Sequence, residues 1–426
     1  MISDPLTQEL YTELCRLSLI DVHTHVDPRR PTARNLADLL GAGPFIDLAL
    51  ATGLEPGMLA DGVDPRDRAR AVFYHLMDFF PNAAPCRWFI EMAHAFLGFQ
   101  GERLHLSDCS ALYRVAEERM ARPGWADEVL TTCGIEKVFV GVAFDDALDG
   151  IDTARYVPCL RGDDLVFHLD RPEVRARLGR ATELDVGDAA SLEHVLTSVF
   201  EHFRRRGARA VSLVLPPGFA PLPREEGDGE PALAALLRRR EAGAAAGDWL
   251  AAVSAAFRAF LDHCAAFHLP LLLLGGNSCC SEEGTVAAEN VAARPVGRRR
   301  YEEVFRDFSA VSFCVAGSLG EDLAVRAACR PNVMACGHGG EAGDVPAAVG
   351  EVLRRRLQAV PQTKQIGYFT GMKRLEFGLP LFNQYRRTLA DALATDFVRP
   401  RLFNVRQALE LGRLLLRDNA RRLFEV

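Results

Sequence analysis

Eight short apolar runs punctuate the 426 residues of this chain, and a helix-like stretch precedes most of them. They are "LSLIDVHTHV" (17–26), "EKVFVGVA" (136–143), "RYVPCL" (155–160), "ARAVSLVL" (208–215), "LPLLLLGG" (269–276), "VSFCVAG" (311–317), "NVMACGH" (332–338) and "QIGYFTG" (365–371). A strand with one wet face alternates apolar and polar side chains. These runs are nearly continuous instead, the pattern of strands covered on both faces. "SLEHVLTSVFEHFRRRG" precedes the fourth run and "DWLAAVSAAFRAFLDHCAAFH" the fifth. Buried strands alternating with helices predict an α/β chain, a (β/α)8 TIM barrel. The length suits a single barrel over 1–426. Residues 27–135 separate the first run from the second and read as mostly helical, notably in "RDRARAVFYHLMDFF" and "CRWFIEMAHAFLGF". They are expected to form a helical insertion after the first strand, on the face where barrel loops grow. The biased stretch 221–247 predicts a mobile loop followed by a helix.

Composition narrows the partners. Charged residues make up 25% of the chain and the formal net charge is −7. No basic tail or basic-aromatic stretch occurs, so no nucleic-acid partner is expected. Arginine triplets at 204–206, 238–240, 298–300 and 354–356 have acids nearby and read as solvated helix faces or loops. The longest apolar run is far too short to span a bilayer, and the first residues lack a basic segment leading into an apolar one. No membrane association and no secretory leader are expected. Eleven cysteines are scattered without a CxxC pair, which predicts free thiols in a reducing cytoplasm.

Chemistry in such barrels gathers at the C-terminal ends of the strands. The first run ends in His23-Thr24-His25. Residues two apart on a strand point to the same side, so both imidazoles can face one cation. Imidazole suits a divalent metal such as Zn, Mn or Fe. His338 ends the seventh run among Gly337, Gly339 and Gly340, where backbone approaches a ligand closely. It is a candidate third metal ligand and a candidate general base. Asp145 and Asp146 follow the second run, as catalytic or hydroxyl-accepting groups, as oxygen ligands or as caps of the next helix. Arg161 ends the third run, and its planar fork matches a carboxylate. Lys373 follows the eighth run as a point charge for a carboxylate or an enolate. A histidine hydrogen-bonded at a barrel rim, or an arginine on the surface, is the competing structural reading of each. Asn277, Cys279 and Cys280 lie after the fifth run, where a plain loop competes with a soft-metal site.

"IDVHTHVDPRRPTARNLADLLG" (20–41) resembles the opening of the uronate isomerase branch of the amidohydrolase superfamily. "VGVAFDDALD" (140–149), "VPCLRGDD" (157–164), "PNVMACGHGGE" (331–341) and "QIGYFTGMKRLEFGLPLFNQYRRTLADAL" (365–393) resemble later blocks of that family, in the same order. The resemblance implies a (β/α)8 barrel with a helical insertion after strand one. It implies a divalent metal on His23 and His25, and the interconversion of aldose and ketose uronates such as glucuronate and fructuronate. It also implies a place in carbohydrate metabolism, with a homo-oligomer as an open assembly state. Several polar positions depart from the family. Its Thr-Asp-Ser-Arg on the last strand is Thr370-Gly371-Met372-Lys373 here, so a metal-binding acid is missing and an arginine is a lysine. Its tyrosine-rich stretch is "GAGPFIDLALATGL" (41–54), and "RAVSLVL" (209–215) holds neither its acid nor its histidine. The leading expectation is a metal-dependent isomerase acting on a small acid. The alternatives are other chemistry on the same barrel with a less polar substrate, such as a hydrolase or a biosynthetic lyase, or an inactive barrel.

Overall fold

The computed structural model describes residues 4–77, 79, 82–223, 229–239, 246–275, 298–317, 328, 330–339 and 346–426. Seven of the eight runs form strands: β1 (Leu19–Thr24), β2 (Ile135–Val142), β3 (Tyr156–Arg161), β4 (Ala210–Leu215), β5 (Leu271–Gly275), β6 (Phe313–Gly317) and β7 (Val333–Ala335). They form one sheet in chain order from β1 to β7. β3 to β7 pair in parallel, with Ser212 opposite Leu272 and Leu272 opposite Cys314. Parallel neighbours need a crossover. Helix Ala189–Arg205 supplies it before β4 and helix Ala246–Ala266 before β5.

The eighth run departs from the expectation. Only Tyr368–Phe369 is a strand there (β9), and it pairs with β8 (His338–Gly339) in a separate two-stranded sheet. Gln365 makes an isolated parallel bridge to Ala335. Farther along, Gly371 N donates to His23 O at 3.0 Å and His25 N to Met372 O at 2.9 Å. Gly371 has φ +62°, a left-handed turn of backbone that ends any extended path. The run therefore holds a two-residue strand, and the Gly371 turn closes it.

The described chain divides into two compact units. The first comprises Met1–Val138, Gly339–Arg354 and Tyr368–Leu416. Among the described residues, six α-helices lie between β1 and β2, from Leu36–Leu40 to Trp125–Cys133. Asn35 starts the first of them, its side chain accepting from Asp38 N at 3.0 Å, while Arg34 grips the Asp38 carboxylate at 2.6 and 3.2 Å. Phe89 stands edge-on to both Phe45 and Phe73, at 6.0 and 5.9 Å. All three rings are buried, each worth about 2–3 kcal/mol of transfer free energy.

The second unit comprises Phe139–His338, Arg355–Gly367 and Arg417–Val426. Asp188 and Ser191 form a reciprocal cap at the start of helix Ala189–Arg205. Leu192, Val195, Leu196, Val199, Phe200 and Phe203 form its buried stripe, at the 3–4 residue spacing of one helical face. Phe200 meets Phe260 of helix Ala246–Ala266 at 5.2 Å. No described helix is long and apolar enough to cross a membrane.

Candidate functional site

In the first unit, Asp21, His23 and His25 stand at alternate positions along and just past β1. His23 is buried and His25 is exposed. Their rings lie 4.9 Å apart between centroids and nearly perpendicular, at 82°. The Phe369 ring stands edge-on to His23 at 5.2 Å. One divalent ion, bonded at about 2.1 Å to a nitrogen of each imidazole, suits this spacing. The pair therefore fits such an ion as two of its donors. Among the described residues no group of three or more His, Cys, Asp and Glu gathers as a metal site. The His338 side chain, the expected third donor, lies outside the described residues, although its backbone belongs to β8. Asn277, Cys279 and Cys280 lie outside them as well.

Asp21 is a member of this group that sequence reasoning passed over. It is fully buried. Its Oδ2 accepts from Thr370 Oγ1 at 2.5 Å, and its Oδ1 from Thr370 N at 3.2 Å and His23 N at 3.4 Å. Burial pushes the carboxyl up to about 7, against the pull of those three hydrogen bonds. Thr370 Oγ1 also accepts from Met372 N at 3.1 Å. Asp21 thus clamps the 370–372 turn onto β1 beside His23. The alternation Asp-x-His-x-His puts Asp21 in register with the two histidines. Thr370→Val is expected to cost about 2–3 kcal/mol, because a buried acid loses its shortest partner. Urea unfolding measures this, and an unchanged midpoint refutes the clamp.

Gly371 occupies the position where the family resemblance places a metal-binding acid. A Cβ added there meets nothing described within 4 Å, but the φ of +62° strains any residue with a side chain. Lys373, two residues on, is exposed.

In the second unit, the ends of β2 and β3 carry the other expected residues. Arg177 forks both oxygens of Asp145, with Nε at 2.7 Å and Nη2 at 2.5 Å, and reaches Asp164 with Nη1 at 2.9 Å. Its guanidinium also lies over the Phe144 ring at 4.8 Å. The hydrogen bonds and charge of Arg177 hold the Asp145 carboxyl below its ordinary range. Asp145 is therefore an ionised, engaged group, which disfavours the catalytic role expected of it. Asp146 accepts from Ala143 N at 3.0 Å and closes the turn after β2. Arg161 ends β3 with its side chain 41% exposed and its Nε 3.9 Å from Asp163 Oδ2. Asp163 Oδ1 accepts from Val214 N at 2.7 Å. Burial pushes Asp163 up to about 6, opposed by that bond and by the Arg161 charge. Val214 is 39% exposed on a strand otherwise buried. Neither Asp163 nor Arg177 was singled out from the sequence, since isolated charges near loops carry no local pattern.

No protein-family profile matches this chain, and no curated protein sequence matches it. Solved structures do. Uronate isomerase from Thermotoga maritima superposes with a TM-score of 0.83, over 99% of this chain and 98% of that one, at 13% identity. Glucuronate isomerase from Caulobacter crescentus gives 0.81 over 99% and 95%, at 16% identity. The fold is that of the uronate isomerases. A third such enzyme, from Bacillus halodurans, gives 0.75 over 99% and 96%, at 15% identity. A likeness at this identity carries the uronate isomerase fold and leaves the reaction to be argued from residues.

Proposed function

We propose that this chain is a divalent-metal-dependent enzyme that interconverts the aldose and ketose forms of a hexuronate or a related small acid. The uronate isomerase-like fold supports the reaction class. The adjacent rings of His23 and His25, 4.9 Å between centroids, are the single observation that carries the metal. A complete (β/α)8 barrel belongs to the same reading. The Ala335–Gln365 bridge and the Gly371–His23 hydrogen bond, at the two ends of the eighth run, support it.

His23 and His25 would hold the ion, Zn, Mn or Fe, with His338 as third donor. A bound ion of this kind polarises a carbonyl oxygen and stabilises charge that develops on it. Arg161 offers a fork for the substrate carboxylate. Asp146 can accept from a sugar hydroxyl. Lys373 places an ammonium where negative charge grows on an enediolate. His338 is also the candidate base for moving a proton between neighbouring carbons, since an imidazole titrates near neutrality. Asp145 stays with Arg177 and takes no proton in this scheme.

A second reading keeps the fold and changes the chemistry towards a less polar substrate. Buried Phe369 and Met372, beside the histidine pair, favour it. One assay separates the two. Protein reconstituted with Zn, Mn or Fe is expected to turn over a member of a hexuronate panel. Arg161→Met should then raise KM by about tenfold or more with a smaller change in kcat, as loss of ground-state binding does. Metal-loaded protein that turns over no hexuronate ends the isomerase reading.

A further inference from the structure

A hexuronate rests mostly as a closed ring, a cyclic hemiacetal, and aldose–ketose exchange needs the open-chain carbonyl. Some group must deliver a proton to the ring oxygen O5 as the C1–O5 bond breaks. O5 and the carboxylate carbon C6 are both attached to C5. Whatever grips the carboxylate therefore has O5 as its close neighbour.

We infer that Asp163 is the acid that opens the sugar ring of a hexuronate held by Arg161. The inference rests on the isomerase reading and on the carboxylate-binding role proposed there for Arg161. Asp163 lies two residues beyond Arg161 at the C-terminal end of β3, the two side chains 3.9 Å apart. Val214 N on β4 fixes Oδ1 at 2.7 Å, so the carboxyl has a set orientation with Oδ2 towards Arg161. The Asp163 side chain keeps 19% exposure, and the neighbouring Val214 is exposed. A ligand can reach it, yet most of the carboxyl is withdrawn from water.

The groups facing this carboxyl pull in both directions. Burial and the adjacent Asp164 charge favour the protonated form, while Val214 N and the Arg161 guanidinium favour the carboxylate. The balance falls at about 6. A general acid works best with a pKa near the working pH, where it still holds a proton and releases it readily. In the step, the Oδ2 proton passes to O5. The C1–O5 pair goes to O5, the O1–H pair becomes the second C1–O bond, and the O1 proton leaves to water. Asp163 then recovers its proton from solvent. No oxidant or second substrate is needed.

Ring opening and reclosure also interconvert the α and β anomers, so the step has its own readout. Exchange NMR on glucuronate with the full-length protein measures it without relying on the isomerisation. Wild type is expected to accelerate anomer exchange, and the acceleration should fall as pH rises through about 6. Asp163→Asn, which keeps an acceptor for Val214 N, should lose about 10²-fold of the acceleration, and Asp163→Glu should recover part of it. Thermal unfolding of each variant shows that the fold persists. If the Asn variant does not fold, the wild-type pH profile decides, and a flat profile between about pH 5 and 8 overturns the inference. A folded Asp163→Asn with undiminished acceleration also overturns it. Wild type that isomerises a hexuronate without speeding anomer exchange sinks the role of Asp163 and leaves the isomerase standing. Wild type that does neither removes both.

Discussion

Glu376→Ala is expected to lower the unfolding free energy by about 3–5 kcal/mol near pH 5, one of the largest effects of any single substitution in this protein. Glu376 is completely buried in the first unit. Its Oε1 accepts from Ala33 N at 2.9 Å and from the Trp125 indole at 3.0 Å. Truncation leaves two buried N–H groups without an acceptor, each at about 1–3 kcal/mol, and opens a cavity besides. Glu376→Gln keeps the shared acceptor and should cost little. The pH dependence separates the two substitutions further. Burial pushes the Glu376 carboxyl up to about 7, opposed by Trp125, Ala33 and the Arg374 charge, and no described group partners its Oε2. The folded chain therefore holds a proton that the unfolded chain releases at lower pH. Its contribution is fully present below the ordinary glutamate pKa and is lost as pH rises to about 7. The shift corresponds to about 3 kcal/mol of stability lost across that window. Denaturant titrations at several pH values should show wild type weakening between about pH 4.5 and 7 and Glu376→Gln weakening less. Parallel slopes for the two proteins would show that Glu376 is not the group responsible.

The second large effect concerns the metal. Protein grown in supplemented medium is expected to hold about one divalent ion per chain, and the His23→Ala, His25→Ala double variant almost none. Two nitrogen ligands are removed at once, and the described residues near them supply no alternative cluster. Turnover of a hexuronate should fall by about 10³-fold or more in the double variant, in line with the several kcal/mol a Lewis acid contributes. Elemental analysis reads the lost ion, and circular dichroism with thermal unfolding of the double variant shows that the fold persists. Equal metal content in the two proteins would mean that the histidine pair serves another purpose, and the metal-dependent reading would fall with it.

Much of the architecture was legible in advance. Seven of eight apolar runs became strands of one sheet, each with its ends moved by a few residues. His23 and His25, two positions apart in the sequence, lie with their rings 4.9 Å apart. Apolar composition marks the eighth run as buried but does not specify its partner, and Tyr368–Phe369 pairs with β8. Asp145 reads from the sequence as a catalytic or hydroxyl-accepting group, an oxygen ligand or a helix cap, and nothing local announces Arg177, 32 positions away.

Alternation and apolar continuity are local properties, and strands and helices respond to them within a few residues. Hence the order of strands and helices, the buried stripe of helix Ala189–Arg205 and the imidazole pair at the end of β1 were all written in the chain itself. The chemistry of the carboxyls was not. Asp21 meets Thr370 across 349 positions, Glu376 meets Trp125 across 251, and Asp163 meets Val214 across 51. A carboxyl's pKa follows from how far it is withdrawn from water and which donors and charges surround it. For these three acids, both were set only when distant segments came together and closed over them.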